Sequence, residues 1–68
     1  MNYSEFLFVN LLREFNSNYN ELPYDEMFSE YSNLFIDYEN SKFNVDNKTE
    51  YQCMCDFFNS ICVSDMVF

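Results

Sequence analysis

The sequence predicts an all-α fold, a small three-helix antiparallel bundle in which residues 1–68 form one acidic domain. Three observations lead to this prediction. Apolar residues recur at spacings of three and four in three separate segments, and short polar segments rich in asparagine lie between them. The alternation typical of a strand extends over no more than residues 43–45, which we interpret as a loop.

The first predicted helix covers residues 2–18. Asn2 and Glu5 have the spacing of a capping box, in which each side chain accepts a hydrogen bond from the other residue's backbone N–H. The apolar stripe of this helix consists of Phe8, Leu11, Leu12, Phe15 and Tyr19. A polar connector follows at residues 16–21. Because the chain has no glycine, we expect asparagine to adopt the left-handed backbone conformation that its turns require.

The second predicted helix, in residues 23–43, has the strongest pattern. Tyr24, Tyr31 and Tyr38 are seven residues apart, and apolar side chains fill the three- and four-residue positions between them. Pro23 fits the first position of this helix, which we expect to end between residues 40 and 43. The tyrosine row is most simply core packing. Its alternative is a self-association surface that these three tyrosines form.

The third predicted helix begins at Asn47-Lys48-Thr49-Glu50, which again has the spacing of a capping box. Its apolar stripe is expected to consist of Tyr51, Met54, Cys55, Phe58, Ile61 and Cys62. Phe57 falls outside this stripe and is a candidate for a second contact surface. Residues 63–68 either continue the helix or fold back, and their apolar end at residues 67 and 68 favours docking over disorder.

The chain is strongly acidic, with twelve Asp and Glu against three Lys and Arg and a formal net charge of −9. Such a surface repels phosphate backbones and anionic membranes, so we expect no direct binding to nucleic acid or to a membrane. A basic surface of a larger nucleic-acid-handling protein would be attracted instead. The alternative is that the acidity only keeps a small aromatic-rich protein soluble.

Acidic residues follow one side of the second predicted helix. The candidate partner-binding residues are Asp25, Glu26, Glu30, Asp37 and Glu39. Residues four apart on a helix are separated by about 6 Å of rise, which is of the same order as the spacing of phosphates along a nucleic-acid strand. A row of carboxylates on a rigid helix could therefore occupy a groove that normally holds nucleic acid. Its alternative is an ordinary solvated face.

The aromatic content suggests contacts beyond the domain itself. Of all residues 49% are apolar and 22% aromatic, whereas a domain of this size buries only about 60% of its unfolded surface. We therefore expect either a homodimer or a partner that covers some of the aromatic side chains.

The sequence offers little that could carry catalysis. It contains no histidine to act as a base and no glycine-rich loop to hold phosphate, so we predict no enzymatic activity, no catalytic residues and no cofactor. Cys53 is predicted to point away from Cys55 and Cys62, so no metal site is expected. We interpret the cysteines as free thiols in a reducing, cytoplasmic compartment, since no secretory leader is recognisable.

These observations favour a non-enzymatic binding protein that inhibits a larger protein by occupying its basic, nucleic-acid-binding surface. In length, charge and richness in Asn, Tyr and Phe, the chain resembles small acidic viral or phage inhibitors such as anti-CRISPR and anti-restriction proteins. The resemblance is one of character and involves no motif; it implies action in an infected host cell. The alternative is a structural or assembly module, or a homodimeric adaptor, that binds through its aromatic helix face. A redox- or metal-responsive element at Cys53 and Cys55 is a third alternative.

Overall fold

The computed structural model describes residues 2–66. Its α-helices are α1 (Tyr3–Phe15), α2 (Tyr24–Glu39) and α3 (Glu50–Ser60). A first 3-10 helix, Ser17–Glu21, lies between α1 and α2, and a second, Val63–Asp65, follows α3. The prediction of an all-α fold is confirmed, and no strand occurs between residues 2 and 66. The antiparallel three-helix arrangement stays a prediction.

The start of α1 is capped as predicted. Asn2 Oδ1 accepts from the Glu5 N–H at 2.9 Å, and Glu5 Oε2 accepts from the Asn2 N–H at 3.2 Å. The predicted end at residue 18 was wrong, because the backbone of Asn16 leaves the helical region (φ −146°, ψ 104°) and its side chain caps the first 3-10 helix. The segment predicted as a connector is therefore helical. The buried Tyr19 therefore belongs to this 3-10 helix and not to α1.

Helix α2 begins one residue later than predicted and is interrupted at Tyr31. Pro23 is the N-cap, with an extended backbone, rather than the first helical residue. Tyr31 has non-helical torsions (φ −111°, ψ 18°), so α2 consists of two segments joined by a kink. The Ser32 hydroxyl donates to the Ser29 carbonyl at 3.4 Å, and such bonds from a side chain to the preceding turn bend helices.

The cap and the buried face of α3 differ from the prediction. Thr49, not Asn47, caps this helix, because Thr49 Oγ1 accepts from the Gln52 N–H at 3.2 Å. The buried residues of α3 are Cys53, Met54, Phe57 and Phe58, whereas Tyr51 is exposed. Phe57 was predicted to be a second contact surface, and this was wrong. The Phe57 ring packs edge-on against Tyr38 of α2, with ring centroids 5.6 Å apart. Tyr38 therefore covers the side of α3 that carries Phe57.

Cys62 reverses the chain after α3. It is the only residue within 2–66 with a positive φ (φ 55°, ψ 46°), so the expectation that asparagine would take the left-handed conformation was wrong. The position directly after a helix C-cap commonly adopts this conformation, and it usually carries glycine. This sequence has no glycine. The turn falls on Cys62 because the next residue, Val63, is buried in the core, and not because cysteine favours the left-handed conformation.

Helix α1 is the element against which both other α-helices pack. Phe8 lies at the centre of this packing. Its ring is 4.9 Å from that of Phe58 and 5.1 Å from that of Phe35, the latter in an edge-on arrangement that aromatic pairs favour. The second 3-10 helix also returns to α1, and Val63 is fully buried. The predicted docking of residues 67 and 68 lies outside the described residues.

Candidate acidic binding surface

The acidic residues of α2 are exposed wherever their side chains are described. Asp25, Glu26, Asp37 and Glu39 are all on the surface. Glu30 belongs to the same helix, but its side chain lies outside the part of the structure that is described. Asp25 and Glu26 are in the first turn of α2, where carboxylates interact favourably with the positive end of the helix dipole.

The kink at Tyr31 divides the four described carboxylates into two pairs. Asp25 and Glu26 precede the kink, and Asp37 and Glu39 follow it. The expectation of a row along a straight, rigid helix was therefore wrong. What α2 presents is an acidic pair at each end, with the relative position of the two pairs set by the backbone at Tyr31.

The three cations of the chain are all engaged away from these carboxylates. The guanidinium of Arg13 donates to the Leu22 carbonyl and lies 4.1 Å from the centroid of the Tyr24 ring. Lys42 lies over the Phe43 ring. Lys48 forms an ion pair with Asp56 at 3.0 Å, the only ion pair among the described side chains. Among the described side chains, no cation forms an ion pair with the exposed acids of α2.

The Lys48–Asp56 pair fixes the charge of one acid outside α2. The hydrogen bond from Lys48 holds the pKa of the Asp56 carboxyl below its ordinary value of 3.8. A second hydrogen bond, from Gln52 at 2.9 Å, acts in the same direction. The charge of Asp56 is matched by Lys48, so this acid contributes little to the unbalanced acidity.

The tyrosines predicted for self-association all contact other residues of the same chain. Tyr24 donates to Asn10 Oδ1 at 2.5 Å, and Tyr31 packs edge-on against Tyr19 with ring centroids 4.8 Å apart. Tyr38 is only 2% exposed. These contacts favour the core-packing interpretation, while a role of the three tyrosines in self-association stays a prediction.

The hydroxyl of Tyr38 is a buried polar group that the sequence did not single out. Neither Tyr38 Oη nor Glu50 Oε1, both buried, has a hydrogen-bond partner among the described residues. Burial, followed by the negative potential of Cys53, Glu50 and Glu39, raises the pKa of Tyr38 to about 12. The phenol consequently stays neutral to a higher pH than an exposed tyrosine does.

The three cysteines are free and differ in exposure. Cys53 is buried and donates to the Val45 carbonyl, Cys55 is half-buried, and Cys62 is exposed. The predicted apolar stripe of α3 included Cys62 and excluded Cys53. This was wrong for both cysteines, because the buried side of α3 carries Cys53 and Phe57. Within residues 2–66, no three His, Cys, Asp or Glu side chains come together as a metal site.

An exposed aromatic pair at the start of α1 was not identified from the sequence. Tyr3 is 73% exposed and Phe6 is 49% exposed. Phe6, Leu7 and Val9 make the first two turns of this helix apolar nearly all round, and this pattern predicts a helix that is either central in the bundle or docked against another chain.

Fold and surface together define a mostly helical chain with unbalanced exposed carboxylates. No family model matches the sequence, no curated protein is detectably similar to it, and no solved structure resembles it. Among the described helices, none combines the length and the apolar character needed to cross a membrane.

Proposed function

We propose that this chain is a non-enzymatic acidic binding protein that inhibits a larger protein by occupying its basic, nucleic-acid-binding surface. The observation that supports this function is the unbalanced charge of α2. Its described carboxylates are exposed, and the cations of the chain are engaged elsewhere. We place these carboxylates on a three-helix antiparallel scaffold.

The engagement of Arg13 strengthens the electrostatic argument. The guanidinium of Arg13 donates to the Leu22 carbonyl and lies over the Tyr24 ring. It forms no ion pair with Asp25 or Glu26, which follow Tyr24 in the sequence. A chain with a net charge of −9 generates a negative potential that accelerates encounter with cationic surfaces. The surfaces that bind nucleic acid in a nuclease, a restriction enzyme, a CRISPR-type effector or a polymerase have the complementary charge. The corresponding site of action is the cytoplasm of an infected host cell.

The experiment that tests this function is capture of the partner from the source cell at low and at moderate salt. We expect a nucleic-acid enzyme to be retained at low salt, released as salt rises, and displaced by added duplex DNA. The double variant Asp37→Lys/Glu39→Lys should lose this capture. The matched control, Asp46→Lys/Asp65→Lys, changes the net charge equally at exposed acids outside α2 and should retain most of it. Equal loss in both variants would indicate that net charge alone matters.

A second candidate function is a structural or assembly module that binds through aromatic side chains. The exposure of Tyr3 and Phe6 on α1 favours it, whereas the rings of α2 are used inside the fold. An aromatic interface holds or tightens as salt rises, while an acidic competitor weakens steeply. A salt-resistant complex that duplex DNA does not displace would therefore support the module and contradict the inhibitor.

A further inference from the structure

The exposed rings at the start of α1 belong to a segment that contacts the first turn of α2. Tyr3 and Phe6 are three residues apart, so their side chains are neighbours on the helix surface. Phe6 stacks on Tyr24, with ring centroids 5.4 Å apart and an interplanar angle of 17°. The residues that follow Tyr24 are the exposed Asp25 and Glu26. The Phe6–Tyr24 stack therefore joins the start of α1 to the first turn of α2, which carries these exposed carboxylates, at one corner of the molecule.

The chain itself contains an example of the chemistry that such a corner recognises. The guanidinium carbon of Arg13 lies 4.1 Å from the centroid of the Tyr24 ring. A guanidinium is planar and weakly hydrated, so it can stack on an aromatic ring and pair with a carboxylate at the same time, whereas a lysine ammonium is compact and strongly hydrated. Arg13 occupies Tyr24, while the rings of Tyr3 and Phe6 remain exposed.

We propose that Tyr3 and Phe6 form a stacking site for arginine side chains of the partner, with Asp25 and Glu26 as the carboxylates that pair with them. The inference rests on the proposed function and specifies its partner: the basic surface is one rich in arginine rather than in lysine. Charge complementarity selects a cation, and the exposed rings select a guanidinium among cations.

The test compares two peptides of equal length and charge, nona-arginine and nona-lysine, by isothermal titration calorimetry at several salt concentrations. Stacking on two exposed rings should make nona-arginine bind about fivefold or more tightly than nona-lysine. The variant Tyr3→Leu/Phe6→Leu keeps apolar side chains but removes the rings. It should lower the affinity for nona-arginine to that for nona-lysine and leave the latter unchanged. Tyr51→Leu, which removes an exposed ring from α3, is the matched control and should keep the preference.

The outcomes separate this inference from the function on which it rests. Equal affinities for the two peptides, or a preference for nona-arginine that persists in Tyr3→Leu/Phe6→Leu, would overturn the stacking site. If both peptides still bind in a salt-sensitive way, the proposed acidic binding function is retained. Absence of binding to either peptide at low salt overturns both proposals. NMR of the unmodified chain gives a readout that needs no variant: the ring-proton signals of Tyr3 and Phe6 should shift on addition of nona-arginine, and unchanged signals contradict the site.

Discussion

The side-chain amide of Asn16 donates to the carbonyl oxygen of Val63 at 3.0 Å, across a sequence separation of 47 residues. The same amide donates to the Met66 carbonyl, and its Oδ1 accepts from the Asn18 N–H at 3.1 Å. Asn16 is 5% exposed and is the one buried polar residue of the described chain. One side chain therefore joins the end of α1 to both 3-10 helices.

Replacing Asn16 with alanine should destabilise the fold by about 1–3 kcal/mol, because the buried carbonyl of Val63 and the N–H of Asn18 would lose their partner. Urea unfolding followed by circular dichroism measures this change. Asn20→Ala, at an exposed position of the first 3-10 helix, is the control and should change the free energy of unfolding by no more than about 0.5 kcal/mol. Similar values for the two variants would mean that the Asn16 bonds contribute no net stability.

The buried phenol of Tyr38 should make the fold sensitive to alkali. Its pKa rises from 10.0 to about 12 on folding because burial disfavours the phenolate. The resulting stabilisation of the neutral form is complete below pH 10 and is lost as the pH rises through 12. A spectrophotometric titration at alkaline pH should therefore contain one late-titrating tyrosine, and this component should be missing in Tyr38→Phe.

Tyr38→Phe should also be as stable as the parent chain at neutral pH, or more stable, because it removes a buried hydroxyl that has no partner among the described residues. Its unfolding midpoint in urea should fall less than that of the parent between pH 9 and pH 11. Tyr3→Phe, at an exposed ring, serves as the control and should follow the parent at every pH. A clear loss of stability in Tyr38→Phe at neutral pH would show that the hydroxyl does find a partner.

The free cysteines should react with a thiol reagent in the order Cys62, Cys55, Cys53. Cys62 is exposed, whereas burial raises the pKa of the Cys55 thiol and lowers its thiolate fraction. Cys53 is buried and should react only on the timescale of local or global opening. Mass spectrometry after short labelling measures the order. Labelling of Cys53 ahead of Cys62 would contradict the described orientation of α3.

Replacing Cys62 with glycine should stabilise the fold by up to about 1 kcal/mol. The left-handed conformation of Cys62 brings its Cβ close to the backbone, and glycine removes this contact. Part of the gain is offset by the greater freedom of glycine in the unfolded chain. Cys62→Ala keeps the Cβ and should leave the free energy of unfolding nearly unchanged, so thermal unfolding of the two variants separates backbone strain from the loss of the thiol.

The features that could be predicted from the sequence depend on neighbours along the chain. The capping box at Asn2 and Glu5 and the existence of the three α-helices follow from residue spacings of three and four. The exposure of the four described acids on α2 was also predictable, because charged groups are rarely buried without a partner.

The features that were missed depend on contacts between distant segments. Which side of α3 is buried follows from where Tyr38 meets Phe57, and the left-handed turn falls on Cys62 because Val63 must enter the core. The exposure of Phe6 has the same origin. Tyr24 covers only part of its ring, and the apolar residues around the first two turns of α1 do not indicate which of them α2 leaves exposed.

The break in α2 at Tyr31 determines the distance between the two described acidic pairs of this helix. In an uninterrupted helix the distance from Asp25 to Asp37 would be fixed by the number of turns between them. With non-helical torsions at Tyr31, that distance depends instead on how this residue is held, and its ring packs edge-on against Tyr19. A basic partner would therefore have to match a spacing that the packing of Tyr31, rather than the helix repeat, determines.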